Sequence, residues 1–427
     1  MNKVIPLSSL NVLLISIILA VSLTSMNVDF EVLGINSSFL EVFAAIICLS
    51  VLINGHSKTS PLWIPYLFLL LCSAIPILIG LFDNNIMRVF RDSAQLTYVS
   101  FIFLGHYFYS RQLIKPDTLI RVACWISVVG SSFFLLNSYI IESSYISTLE
   151  YNWRVLIAFS AICLYVNLLG MLRRVKISSY TVLFMLATMI IFLVQIRTRA
   201  FLLMVAIGFI IVTLSFLYKK KSSYEMKKFF SFAISVPILL VVAMSLGGLD
   251  LIFTNEGSLS RLLEFGESEQ HDVTALYRLE AWSQALNGFI ESPFFGQGFG
   301  SYMLLDPWIN GNFQFYPSAM IHNGFLQMLY VGGIANFLGY TFLFYGIYRS
   351  AGFEVAQYHS ENESVGVRIL TRSFLISYLI YASFGTSLFA VNESIIFWFL
   401  VGYFSQKKKK TKGRHAFRRF DITGKSA

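Results

Sequence analysis

His322 heads an apolar run, Ile321-His322-Asn323-Gly324-Phe325-Leu326-Gln327, directly after the longest polar connection in the chain. A neutral imidazole, with an ordinary pKa near 6.5, accepts a proton from an attacking hydroxyl at neutral pH. A histidine at an interface also serves as a structural residue, and the sequence leaves both roles open. Asn323 beside it either orients a ligand or caps the following helix. The second chemical signal is arginine. Arg197-Thr198-Arg199 forms a turn a few residues wide between two apolar runs, and Arg278 lies in the long connection. A guanidinium offers a rigid fork of donors that grips phosphate with two hydrogen bonds and stays charged when partly desolvated. Arginines in such a turn also act as helix-end anchors.

The connection itself, residues 249–320, carries nine acids against two arginines, Arg261 and Arg278, so it is not a generic basic patch. Within it, Thr274 to Ile290 reads as an amphipathic helix, with Ala281, Trp282, Ala285, Leu286, Phe289 and Ile290 at helical spacing. Thr274 is its candidate N-cap and Ser292-Pro293 its stop. Arg278 and Trp282, four apart, share a face. Such a helix lies on a membrane surface or against a bundle, and its plain role is a cover. Gly296-Gln297-Gly298-Phe299-Gly300 follows no strand of a βαβ unit, so it is no dinucleotide fingerprint; it marks a tight turn with close backbone approach. Tyr302, Trp308, Phe313, Phe315 and Tyr316 either stack on sugar rings or sit at the interface. No second histidine or cysteine stands at metal-ligand spacing and no G-x-S-x-G is present, which argues against metal-dependent and serine-nucleophile chemistry.

The elements that must position these groups are membrane helices. Only 13% of the 427 residues are charged and 56% are hydrophobic, which excludes a soluble globular protein. Apolar runs near 10–26, 38–54, 62–82, 95–109, 119–141, 153–171, 178–196, 200–218, 229–247, 321–348, 370–388 and 392–405 give about twelve transmembrane helices in an all-α, polytopic fold. An even number puts both termini on one side. With cytoplasmic termini, 25 of the 32 Lys and Arg residues fall inside, as the positive-inside rule demands. The seven left outside are Arg88, Arg91, Arg154, Arg197, Arg199, Arg261 and Arg278, while all fifteen lysines are inside. An outer surface with arginine alone fits recognition of a phosphate-bearing ligand; chance on a small sample is the bland explanation. The domain reading is an N-terminal bundle at 1–248, a large periplasmic loop with short amphipathic helices at 249–320, C-terminal spans at 321–405 and a basic cytoplasmic tail at 406–427. That tail is a topology signal and a contact for anionic lipid, so nucleic acid is not expected. Cys48, Cys72, Cys124 and Cys163 all fall in apolar runs and read as packing residues. The first run reads as a retained span.

Four elements in order resemble the O-antigen polymerase and O-antigen ligase superfamily. They are Arg197-Thr198-Arg199-Ala200, then Arg278-Leu279-Glu280-Ala281-Trp282, then Pro293 to Gly300, then His322 to Gln327 followed by Gly332-Gly333-Ile334. Order and spacing agree from about residue 185 to 345. The resemblance implies a metal-independent, cofactor-free membrane glycosyltransferase of the bacterial inner membrane, with its active site facing the periplasm. Its donor would be an oligosaccharide on undecaprenyl pyrophosphate. Carried over, Arg199 and Arg278 would bind the pyrophosphate with Arg197 as helper, and His322 would act as base on, or orient, the acceptor hydroxyl. Trp282, Asn323 and Tyr302 are the candidates for positioning glycan. Thr198 stands where the family usually has serine, which leaves the choice between Arg197 and Arg199 open, and the acidic loop is not predicted by phosphate binding.

The expected activity is polymerisation of lipid-linked repeat units into O-antigen or a related surface polysaccharide. The acceptor is then also lipid-linked, and a chain-length regulator is a further candidate partner beside the membrane lipids. The alternative is a ligase that transfers the glycan to lipid A-core. A transporter or flippase of lipid-linked sugars also predicts twelve spans and outer arginines, but it would place ionisable groups along central helices.

Overall fold

The computed structural model describes residues 29–32, 35–38, 60–140, 145–172, 177–195, 199–219, 273–303, 321–351, 361–385, 388 and 390–405. Among these the protein is mostly helical. The helices are α1 (Trp63–Asp83), α2 (Ile86–Val99), α3 (Phe101–Ser110), α4 (Pro116–Ile140), α5 (Tyr145–Leu168), α6 (Ser179–Gln195) and α7 (Arg199–Lys219). They continue with α8 (Val273–Glu291), α9 (Gly324–Ser350), α10 (Glu361–Ala382) and α11 (Val391–Phe404). The expected runs 10–26, 38–54 and 229–247 lie outside the described residues, as do most of the connection at 249–320 and the basic tail. One element departs from an all-α fold: β1 (Asp29–Val32) and β2 (Ile35–Ser38) pair antiparallel, Asp29 opposite Ser38 and Val32 opposite Ile35. Phe30 and Val32 alternate with Asp29 and Glu31, a period of two that suits a strand.

Among the described residues, three stretches are long and apolar enough to cross a membrane: α1, α9 and residues 364–382 of α10. Shorter apolar stretches lie in α5, α7 and α11. On α1, Ile64, Leu71 and Phe82 are 70%, 72% and 85% exposed, apolar surface on a scale that water would penalise and lipid would not. The run expected at 95–109 is in fact two helices, α2 and α3, which meet at Ser100. That residue turns its hydroxyl onto the Thr97 carbonyl at 2.6 Å. Gly105 on α3 and Gly402 on α11 lie against the opposing backbones, so these helices approach as small residues allow.

Two antiparallel pairings place the ends of the helices. Along α1 and α9, Gly346 packs on Pro65 and Gly339 on Leu69, while Ser73 donates its hydroxyl proton to the Asn336 side-chain oxygen at 3.0 Å. Along α7 and α10, Phe201 meets Tyr381 edge-on at 6.0 Å and Gly208 lies beside Ser377. At the start of α9, Gly324 abuts the Ala382 carbonyl that ends α10. The beginnings of α7 and α9 and the end of α10 therefore share one end of the bundle. Arg199 opens α7 and His322 precedes α9, so both backbones lie at that end.

Candidate active site around His322

The apolar run that begins at Ile321 becomes helical only at Gly324, so His322 stands before the span rather than inside it. Its φ is +50°, a left-handed conformation that a residue with a Cβ adopts at a cost. Both flanks are fixed. On one side Trp282 donates its indole N–H to the Ile321 carbonyl at 2.7 Å. On the other, the Asn323 side-chain oxygen accepts from the Phe325 and Leu326 amides, each at 3.1 Å, and caps α9. Of the two roles open to Asn323, capping is the one its oxygen fills. The imidazole packs edge-on against Tyr277 at 5.9 Å between centroids.

Arg278 is exposed on α8, one residue from Tyr277, and its charge acts on the imidazole. Burial first, and Arg278 second, press the His322 pKa down to about 4. The ring is thus neutral at pH 7, and its proton affinity is weak while Arg278 is uncompensated. An anion bound at Arg278 would offset that field and raise the affinity.

Helix α8 extends one residue past the expected bounds at each end, and its buried face agrees with the expected one only in part. Tyr277, Ala281, Ala285 and Gly288 are buried, whereas Leu286 and Ile290 are 45% and 70% exposed. Small residues at four-residue and three-residue intervals let α8 lie close to α9, with Gly288 against the Tyr330 ring. The large apolar residues instead face outward, as on a membrane surface. The side chain of the candidate cap Thr274 is outside the described residues.

The glycine turn approaches protein backbone. α9 breaks at Gly333, with φ +60° and ψ −162°. The segment after α8 repairs the break. Gln297 and Gly298 donate their amides to the Tyr330 and Val331 carbonyls at 2.8 and 3.0 Å, while Ile334 and Ala335 donate to Pro293 and Phe294 at 2.8 and 3.1 Å. A broken helix is tolerated at membrane depth only when its freed groups find partners in this way. Gly298, at φ +83°, also lies on Gly80 of α1, where an added Cβ would stand 2.7 Å from the Gly80 nitrogen. Past the turn, Tyr302 is 46% exposed and lies under the Arg88 guanidinium at 4.5 Å.

Of the expected site residues, His322, Arg278, Trp282 and Asn323 come together. Tyr302 is held elsewhere, by Arg88 over its ring and by its carbonyl, which accepts from the Tyr330 hydroxyl at 3.3 Å. Arg199 is present as the first residue of α7, its side chain outside the described residues, as is all of Arg197. Arg154, expected on the outer surface, is instead 3% exposed within the bundle. It hydrogen-bonds to Tyr381, whose hydroxyl donates to the Glu393 carboxylate at 3.0 Å, and its charge acts on Glu393. This cluster joins α5, α10 and α11 beside Phe201, and its traces in the sequence were Arg154 and Glu393, each a charge within an apolar run.

Residues 182–341 match the family model described as O-antigen ligase. The match supports the resemblance to the O-antigen polymerase and ligase superfamily. It runs from α6 through α7, α8 and the first part of α9, and so includes Arg197, Arg199, Arg278, the glycine turn and His322. The match starts and stops within a few residues of the resemblance read from the motifs. No curated protein matches the chain. The superfamily and the apolar helices together indicate a membrane protein of polysaccharide assembly with glycosyltransferase-like activity.

Proposed function

We propose that the protein is a periplasm-facing membrane glycosyltransferase of the bacterial inner membrane, which polymerises undecaprenyl-pyrophosphate-linked repeat units into surface polysaccharide. The observation that carries this reading is the pairing of a neutral, two-sidedly fixed imidazole with the Arg278 guanidinium at one end of the bundle. The acceptor hydroxyl oxygen forms a bond to the anomeric carbon of the donor sugar, and the bond from that carbon to the diphosphate oxygen breaks. The hydroxyl proton passes to His322, and the electron pair of the broken bond leaves with the lipid diphosphate. Arg278, joined by Arg199 from the start of α7 and by Arg197 as helper, takes up the developing charge. Diphosphate bound at Arg278 cancels the field that otherwise weakens His322 as a base, so proton affinity rises only when donor is in place. The lipid tail stays in the bilayer throughout, which requires the reactive centre to sit at the membrane surface.

A second reading, transfer of the finished glycan to lipid A-core, is favoured by the description of the matched family. The two readings differ in a deletion strain. Loss of a polymerase leaves core bearing single repeats, whereas loss of a ligase leaves bare core and accumulated lipid-linked polymer. For the chemistry, His322→Ala in purified, folded protein should abolish transfer. Turnover near that of the wild type would remove His322 from the mechanism.

A further inference from the structure

The donor and the acceptor present their diphosphates differently. The donor reacts at the carbon that carries its diphosphate, so that group must lie beside His322. A lipid-linked acceptor reacts through its terminal sugar, at the far end of the oligosaccharide from its own diphosphate. If the proposed polymerase reading holds, a second anion subsite is required, about one oligosaccharide away and still at the membrane surface.

The first turns of α2 offer the chemistry such a subsite needs. Arg88 and Arg91 are three apart and share a face of the helix. Arg91 is 55% exposed, and Arg88 is held over the exposed Tyr302 ring at 4.5 Å. The patch is built against the loop that carries it: the Asp92 carboxylate accepts from the Gly300 amide at 3.0 Å, and the Asn84 side-chain amide donates to the Phe299 carbonyl at 3.1 Å. Asp92 lies 3.7 Å from Arg91 and its carboxylate is shared with the Gly300 amide, which leaves the 55% exposed Arg91 side chain open to solvent. Beside it, Phe82, Ile86, Met87 and Phe90 are 85%, 50%, 37% and 58% exposed, a bare apolar wall for a polyprenyl tail. Tyr302 is tied to α9 through the Tyr330 hydroxyl, whereas the His322 peptide is held by Trp282, so the two places are anchored by different contacts.

We infer that Arg88 and Arg91 bind the diphosphate of the lipid-linked acceptor, with Tyr302 stacked on its first sugar, and that this subsite is separate from the donor diphosphate site at Arg278. A phospholipid headgroup offers the same phosphate chemistry, and the test separates the two sources.

Wild type, Arg88→Gln/Arg91→Gln and Arg88→Lys/Arg91→Lys are purified and reconstituted into phosphatidylcholine bilayers, which carry no net charge. Transfer is followed with saturating lipid-linked polymer as donor and an undecaprenyl-diphosphate-linked single repeat as varied acceptor, and then with the donor varied at saturating acceptor. The Gln pair is expected to raise the acceptor KM about tenfold with less than a twofold change in donor KM, and the Lys pair to recover part of the loss. Arg91→Gln alone, at an exposed position that folding does not need, is expected to raise the acceptor KM about threefold. An unchanged acceptor KM, or an equal rise for both substrates, overturns the assignment. So does an effect seen only when anionic phosphatidylglycerol is added, which would make the ligand bulk lipid. A wild type that transfers nothing to a repeat unit overturns the polymerase reading and the subsite together, whereas a wild type that transfers beside variants with unaltered acceptor KM overturns the subsite alone.

Discussion

The indole N–H of Trp282 and the carbonyl of Ile321 meet at 2.7 Å, so a helix of the long connection holds the peptide that enters His322. The contact spans 39 residues of sequence and makes the position of the imidazole depend on the docking of α8. Trp282→Phe keeps the aromatic bulk and removes one hydrogen bond, a loss of about 1 kcal/mol. Because the loss falls on positioning, kcat is expected to drop about tenfold with little change in thermal midpoint. Steady-state transfer together with a melting curve in detergent checks both. An equal fall in stability and activity would make Trp282 a packing residue only.

The left-handed backbone at His322 predicts an order of stability opposite to the order of function. A residue with a Cβ loses about 1–2 kcal/mol in this conformation, and a β-branched one more. His322→Gly is expected to melt at or above the wild-type temperature, His322→Val clearly below it, and both to be inactive. A Gly variant less stable than Val would mean that the backbone carries no strain here.

Acidity supplies a third test. With the free-enzyme pKa of His322 near 4, the acid limb of kcat/KM attributable to this group should lie well below pH 5. The limb of kcat, which reports the substrate-bound enzyme, should lie higher, because bound diphosphate offsets Arg278. Arg278→Gln should move the kcat/KM limb upward, though only part of the way to 6.5, since burial is the larger cause. The depressed pKa also favours the folded state only with the ring neutral. Its contribution to stability is complete above about pH 6.5 and is lost as pH falls toward 4.

At the glycine turn, Gly298→Ala forces a Cβ against the Gly80 backbone and a methyl into φ +83°. The expected cost is about 2–3 kcal/mol, visible as a lower melting temperature and poorer recovery of folded protein. Gly80→Ala strikes Phe299 in the same contact, so the double variant should cost less than the sum of the two. Additive effects would show that the contact is not shared.

Much of this architecture was legible because membrane helices write themselves as apolar runs. The limits of α1, α4, α6 and α7 fall within a few residues of runs read by eye, though α10 begins and ends earlier than its run. The chemistry-bearing types, His322 and Arg278, were legible for the same reason: polar groups stand out against an apolar chain. The face of α8 was legible only in part: the periodicity took in Ala281 and Ala285, which are buried, but also Leu286 and Ile290, which are exposed, and it missed Tyr277 and Gly288. The exchange of amides between 293–298 and the break at Gly333 was not legible, because backbone hydrogen bonds between distant segments leave no side-chain pattern. The glycine pair 332–333 marked the place without naming the partner.

That exchange has a consequence for how substrates enter. Four peptide groups beside the break are hydrogen-bonded by residues 293–298, and each stranded in hydrocarbon would cost several kcal/mol, about enough together to unfold a small domain. The segment therefore cannot swing away as a gate. Any hinge that admits a glycan to His322 has to lie upstream of Pro293, with this clasp as its fixed post.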